Sequence, residues 1–149
     1  MVDCVLRTAS RNDVADLQRL LTQLGYPMEL SDVEERLQFY MTLPSLRLWV
    51  AEQQKSVVGL IALSIEPLLV RKAWRFHVEG FVVDVNHRRQ GIGRALLDHV
   101  ISETENYRPC VIDLTSNQRR HGAHLFYRSL GFGNEGERSS LYFRKEIGF

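Results

Sequence analysis

The sequence predicts an α/β fold: a mixed central β-sheet flanked by about four helices, in a single domain over residues 1–149. Three observations predict it. Short apolar runs with strand character recur along the chain. Stretches with hydrophobic residues at helical spacing lie between them. Glycines stand at several points where one periodicity gives way to the other.

The bulk properties agree and narrow the function. A chain of 149 residues can bury a core of its own, and 44% hydrophobic with 25% charged residues is the balance of an ordinary globular protein. A formal charge of +1 excludes a global attraction to nucleic acid or anionic membrane. The arginines are instead gathered locally, at residues 88–94 and at Arg119-Arg120. No run approaches the ~18 apolar residues of a membrane span, and the N-terminus has no apolar signal core, so a cytoplasmic location is expected. Cys4 and Cys110, far apart in strand-like surroundings, are expected as two buried, reduced thiols.

Cys4-Val5-Leu6-Arg7 reads as an opening strand. Ser10 with Asp13 three positions on has the form of a capping box, and Val14, Leu17, Leu20, Leu21 and Leu24 follow as one helical face closed by Gly25 and Pro27. Ser31-Asp32-Val33-Glu34 has the same form and is expected to open a second, shorter helix, with Leu37 and Tyr40 on its apolar side and Pro44 ending it. Leu46 to Ala51 and Val57 to Leu63 read as strands joined in a hairpin through the polar turn Gln53-Gln54-Lys55-Ser56. A third strand is expected over Trp74–Val85, after the basic loop Arg71-Lys72. A helix beginning near Gly93 runs to about Tyr107, and Val111 to Thr115 is a further strand. Asn117 to Leu130 contains a helix stopped by Gly131, and Leu141-Tyr142-Phe143 is a last strand, with one more short strand near Phe132 as an option.

The chemistry concentrates at Arg88-Arg89-Gln90-Gly91-Ile92-Gly93-Arg94-Ala95, where the third strand turns into a helix. A helix start has backbone N–H groups without an internal acceptor and about half a positive charge from aligned peptide dipoles. Glycines let the chain curl so that several N–H groups meet one anion, and Arg88, Arg89 and Arg94 add full charges. The local chemistry is that of a pyrophosphate cradle, the bland alternative being a glycine-rich turn. A dinucleotide fingerprint needs a further glycine where Leu96 stands, and a P-loop needs Lys followed by Ser or Thr where Arg94-Ala95 stand.

Arg88-x-x-Gly91-x-Gly93 resembles the acyl-CoA signature Arg/Gln-x-x-Gly-x-Gly/Ala of the GCN5-related N-acetyltransferases, the GNAT family. A second block, Asn117-x-x-Arg120-x-x-Ala123-His124-x-Phe126-Tyr127-x-x-x-Gly131-Phe132, resembles the family's late strand-to-helix segment, and the element order matches over nearly the whole chain. The nearest pattern is similar to small-amine acetyltransferases, such as those of aminoalkylphosphonates and aminoglycosides. The resemblance implies acetyl-CoA as cosubstrate and a small-molecule primary amine as acceptor. It implies that the third strand splays from the next one to admit the pantetheine arm, with the Phe81 N–H on the thioester carbonyl and Val82 and Val83 beside the arm. Asn117 and Arg120 are further cofactor candidates, and Tyr127 is the implied proton donor to the leaving thiolate.

An amine must lose its proton before it attacks, so an acceptor is needed as well. Glu79, a carboxylate in an apolar strand, is the first candidate and His77 the alternative. Strand alternation is expected to place His77, Glu79 and Phe81 on one face. The bland alternative for Glu79 is a solvated side chain or an ion pair with Arg75. For Tyr127 it is packing beside Phe126, and for Asn117 a helix cap. The spacing His121-x-x-His124 suits a metal, but no third ligand accompanies it, so no metal is expected. The loop Gly25–Glu29 and Trp74, Arg75 and Phe76 are expected to wall the acceptor pocket. A non-catalytic acyl-CoA-binding module and acetylation of a protein amine are the competing functions. A homodimer is compatible with the resemblance, and neither nucleic acid nor membrane is expected as a partner.

Overall fold

The structure, a computed structural model, describes residues 3–115, 121–133 and 143–149. The chain divides into two compact units, Met1–Thr115 and Ser116–Phe149. The first runs β1 (Val5–Thr8), α1 (Val14–Leu24), α2 (Leu30–Thr42), β2 (Leu46–Gln53), β3 (Ser56–Pro67), β4 (Trp74–Val83), α3 (Ile92–Glu103) and β5 (Cys110–Leu114). The second contains α4 (His121–Ser129). Among the described residues, five strands and four α-helices make up the α/β architecture expected, and the sheet is mixed: order β1-β2-β3-β4-β5, antiparallel throughout except for the parallel pair β4–β5. Leu141 and Tyr142 of the expected last strand lie outside the described residues, while Phe143 and Phe132 belong to no strand. Among the described residues, no helix is long and apolar enough to cross a membrane.

Local signals set the element ends. Gly25 at φ 108° closes α1: its N–H reaches the Thr22 carbonyl and that of Tyr26 reaches Leu21, the paired back-bonds of a left-handed cap. Gly131 at φ 89° closes α4 in the same way, with Gly131 N–H on Arg128 and Phe132 N–H on Tyr127. The β2–β3 hairpin turns through Gln54 and Lys55, both at positive φ as a two-residue turn of that twist demands.

Three expectations are corrected. Ser31 is not a cap: α2 starts two residues earlier than such a cap requires, with the extended Glu29 as its N-cap and the Glu29 carbonyl accepting from Asp32 and Val33, and at 13 residues it is longer than α1 with 11. The third strand stops at Val83 rather than Val85, because Asp84 accepts the Asn86 N–H at 2.9 Å and turns the chain into a short 3-10 segment, Val85–His87. Cys4 and Cys110 are free but only half-buried, and burial pushes the Cys4 thiol up.

The sheet has two covered faces. On one, α1 and α2 supply Leu17, Leu20, Val33 and Leu37 against Val50, Leu60 and Val82. On the other lies α3: Ile92 and Leu96 approach Gly59, and Gly93 sits above Val83 and Phe81, where a Cβ would make ordinary contact at 3.5–3.6 Å. Gly59 is tighter, with an added Cβ only 3.1–3.2 Å from Leu96 and Ile92, so the helix rests directly on bare backbone there.

Two buried carboxylates fasten this arrangement. Asp13 takes the two terminal Arg7 guanidinium nitrogens at 2.8 and 2.9 Å and the Ser10 N–H at 2.7 Å. Asp84 takes Asn86 and pairs with Arg19 of α1, which also donates to the Val57 carbonyl at 2.8 Å. Burial opposes ionisation at each, but these partners hold both carboxyls below the usual aspartate range. A depressed folded-state value contributes stability above the unfolded value and loses it as pH falls through the folded one. The melting temperature should therefore fall steeply once pH drops below about 4, near the unperturbed aspartate value. Asp84→Asn should melt lower at pH 7 and lose less between pH 5 and pH 3, as thermal scans across that range would show.

Candidate active site

The parallel pairing of β4 with β5 covers Trp74–Val78 against Cys110–Leu114 and ends there. Val83 is followed by the turn at Asp84 and then by the cradle. Arg89 holds a left-handed φ of 63° and Gly91 one of 84°, so the chain curls twice around the exposed Gln90 before α3 begins. Gly91 is the N-cap. Its carbonyl accepts the Ala95 N–H at 3.0 Å, which leaves the N–H groups of Ile92, Gly93 and Arg94 as the ones a helix start presents outward. Ile92 is buried, so its side chain anchors the turn and only its backbone faces the mouth. Arg88, Arg89 and Arg94 are exposed. Arg88 reaches back to the Val83 carbonyl at 3.2 Å and Arg94 lies 3.7 Å from Asp98. Donor N–H groups, a dipole end and three cations fit a pyrophosphate, and Phe81 and Val83 lie against Gly93 at the end of that same helix. The Ala95 N–H is committed within the helix, so Ala95 supports the cradle rather than donating from it.

The expected alternation of His77, Glu79 and Phe81 on one face is corrected. The β3–β4 register slips between Ala62 and Leu63: Leu63 faces Val78 and Ala62 faces Gly80, so Glu79 is an extra residue, a β-bulge. Its effect is to reverse the strand's parity. Phe76 and Val78 point to the α3 face before it; Phe81 and Val83 do so after it. Phe81 pairs with Ile61 on that face, whereas His77 pairs with Ser64 on the α1–α2 face. The glycine inside the strand, Gly80, is the local sign that could have revealed this.

On the α1–α2 face the bulge leads into a polar cluster. Glu79 is exposed and accepts from the Tyr40 hydroxyl of α2, and burial together with that carboxylate pushes the Tyr40 phenol up. Arg75 Nε donates to Asp113 Oδ2 at 2.8 Å, and His77 Nδ1 lies 2.6 Å from Asp113 Oδ1. Ser64 and Glu66, the register partners of His77 and Arg75 on β3, bond each other at 3.0 Å. Arg75 thus pairs with Asp113 and not with Glu79. Of Trp74, Arg75 and Phe76 only Arg75 belongs to this face: Phe76 is fully buried and Trp74 packs edge-on against Tyr107 at 5.1 Å. The loop before α2 is held by Gln18 on the Met28 carbonyl at 2.9 Å and leaves Tyr26 66% exposed.

Tyr127 lies on α4, in the second unit. It is half-buried, with ring centroids 5.6 Å from Phe126 and 6.0 Å from Phe132, and its carbonyl receives the Phe132 N–H of the helix cap. Asn117, Arg120 and the side chain of His121 lie outside the described residues. Asp113 and Tyr40 were missed by sequence reasoning. Asp113 did carry the signal used for Glu79, a lone carboxylate in an apolar strand.

The family model for the acetyltransferase (GNAT) domain matches residues 44–133, β2 through α4. The chain belongs to the GNAT acetyltransferase family. The "N-acetyltransferase family 8 member 3" of Rattus norvegicus is 31% identical over 109 residues, covering 72% of this chain and 47% of that protein. The "[Ribosomal protein bS18]-alanine N-acetyltransferase" of Escherichia coli (strain K12) is 32% identical over 83 residues, 56% of this chain and 54% of that one. This chain spans about half the length of the curated relatives it matches. Among solved structures, an aminoglycoside acetyltransferase from an uncultured soil metagenomic sample, in complex with trehalose, superposes with a TM-score of 0.75 over 97% of each chain. At 19% identity that likeness shows the fold alone.

Proposed function

We propose that this GNAT chain is an acetyl-CoA-dependent N-acetyltransferase that moves the acetyl group onto a primary amine of a small molecule, by direct attack with both substrates bound. The observation that carries the reading is the cradle at Gly91 adjoining the Phe81–Val83 end of β4. It sets anion donors and a strand end side by side, as a cosubstrate with a pyrophosphate and an amide-bearing arm requires. GNAT enzymes generally use acetyl-CoA, whose thioester supplies the activated acetyl group. Within this chain, the first-turn N–H groups and Arg88, Arg89 and Arg94 would hold the pyrophosphate, Gln90 would border it, and Phe81, Val82 and Val83 would align the arm. Asn117 and Arg120 remain cofactor candidates by resemblance alone. The Phe81 N–H would stabilise negative charge developing on the thioester oxygen, an effect typically worth about 3–4 kcal/mol. Glu79 and His77 are the candidates to take the amine proton, and by resemblance alone Tyr127 is the candidate donor to the leaving thiolate.

Acetyl-CoA at a hundred times its dissociation constant should stabilise the protein by ~2.7 kcal/mol. For a chain of this size that is a rise in Tm of roughly 5–10 °C. No rise at saturating acetyl-CoA would sink the cosubstrate assignment. Release of coenzyme A thiol in the presence of a mixed library of small amines tests the transfer. The Escherichia coli relative, by name an acetyltransferase of a ribosomal protein alanine, favours a second reading, acetylation of a protein amine. Peptides with a free N-terminus in the same screen separate the two. Binding without thiol release from any amine would mark an acyl-CoA-binding module instead.

A further inference from the structure

We propose that Asp113 and His77 form a dyad in which Asp113 fixes the imidazole tautomer and His77 Nε2 is the group that takes the proton from the acceptor amine. The inference rests on the acetyl-transfer reading and specifies its base. A ring nitrogen 2.6 Å from a carboxylate oxygen carries the proton that lies between them, so Nδ1–H donates to Asp113 Oδ1. In the neutral ring the lone pair is then on Nε2. Arg75 Nη2 lies 3.1 Å from the same Nδ1, which as an N–H offers it no lone pair, and Arg75 holds Asp113 through a different nitrogen, Nε donating to Oδ2. Both oxygens of Asp113 are therefore used, one to hold the carboxylate and one to orient the ring.

The surroundings favour His77 over Glu79. Glu79 is exposed on the bulge and already accepts from Tyr40. His77 is 31% exposed in its side chain, held from two strands, on the face where Ser64, Glu66, Arg75 and Glu79 converge and Tyr40 approaches from α2. In the reaction the amine lone pair forms the N–C bond to the thioester carbon, the nitrogen's proton passes to Nε2, and the C–S bond breaks with its electron pair on sulfur. The thiolate is then protonated. No further reactant is needed.

The test has two readouts. ¹⁵N NMR of the imidazole should show Nδ1 protonated and Nε2 bare in the parent at a pH where His77 is neutral. In Asp113→Asn the Nε2–H form should gain population, while Arg75→Met should leave the parent tautomer in place. With an amine verified by the screen, His77→Gln should lower kcat about a hundredfold and Asp113→Asn about tenfold, with little change in acceptor KM. The double variant should be no worse than His77→Gln alone, since the two act as one unit. An Nε2–H tautomer in the parent overturns the proposal without any assay, and so does full kcat in His77→Gln. A parent inert toward every amine overturns the transfer reading and this inference together; an active parent with an indifferent His77 overturns only the latter. Should Asp113→Asn fail to fold, the parent tautomer and His77→Gln still decide.

Discussion

Tyr127→Phe is expected to lower kcat about a hundredfold, while acetyl-CoA binding and stability stay near the parent values. The variant keeps the ring that packs at 5.6 Å from Phe126 and 6.0 Å from Phe132, and it keeps the carbonyl that closes α4 through the Phe132 N–H. Only the hydroxyl is removed. General acid assistance is typically worth ~10²–10⁴-fold, and the lower end applies because a thiol with a pKa near 8.5 leaves tolerably as thiolate. The loss should fall on kcat with the acceptor KM little altered. It should shrink with an acyl thioester whose thiol is more acidic. Steady-state kinetics with two thioesters checks both statements, and unchanged kcat in Tyr127→Phe would make Tyr127 a packing residue.

The second large effect is on the scaffold. Phe76→Ala should destabilise the protein by about 3–5 kcal/mol, the usual cost of emptying a buried phenylalanine site. Phe76 is fully buried, flanked by Ile65 on β3 and Ile112 on β5, and its ring stands 5.4 Å from that of Tyr107. At roughly 2–4 °C per kcal/mol, Tm should fall by roughly 6–20 °C, and Phe76→Leu should restore much of it. Because Phe76 lies between Arg75 and His77, the cavity would also loosen the strand that holds both on Asp113. Activity measured well below the melting transition should therefore fall too. A Tm within about 2 °C of the parent would mean that the site collapses without cost, contrary to the close packing of protein interiors.

The elements that announced themselves in the sequence are those with local causes. Gly25 and Gly131 mark helix ends because a left-handed residue is needed at the cap itself, and the cradle is visible because glycine and arginine act where they stand in the chain. Ser31 misled for a related reason. Its hydroxyl has the chemistry of a cap, but Glu29 is extended and its carbonyl takes the first helical bonds, so the serine falls inside the helix. The parity switch at Glu79 was hidden because a bulge is a property of two strands in register, and only Gly80 hinted at it. The dyad was hidden more deeply. His77 and Asp113 are 36 residues apart and meet only through the parallel register of β4 with β5. Long-range pairing of that kind leaves no periodicity in either segment.

The bulge has a consequence for how such a protein can diversify. Upstream of Glu79, substitutions at positions 75 and 77 alter the α1–α2 face without touching the residues against α3. Downstream, Phe81 and Val83 are confined by Gly93 and can vary little. One strand is thereby divided into a mutable half and a constrained half. The first can change its polar face while the cradle side is inherited intact. A deletion of residue 79 would leave Phe81 and Val83 opposite Ile61 and Gly59 on the α3 side, and would remove only the bulge and the carboxylate that meets Tyr40.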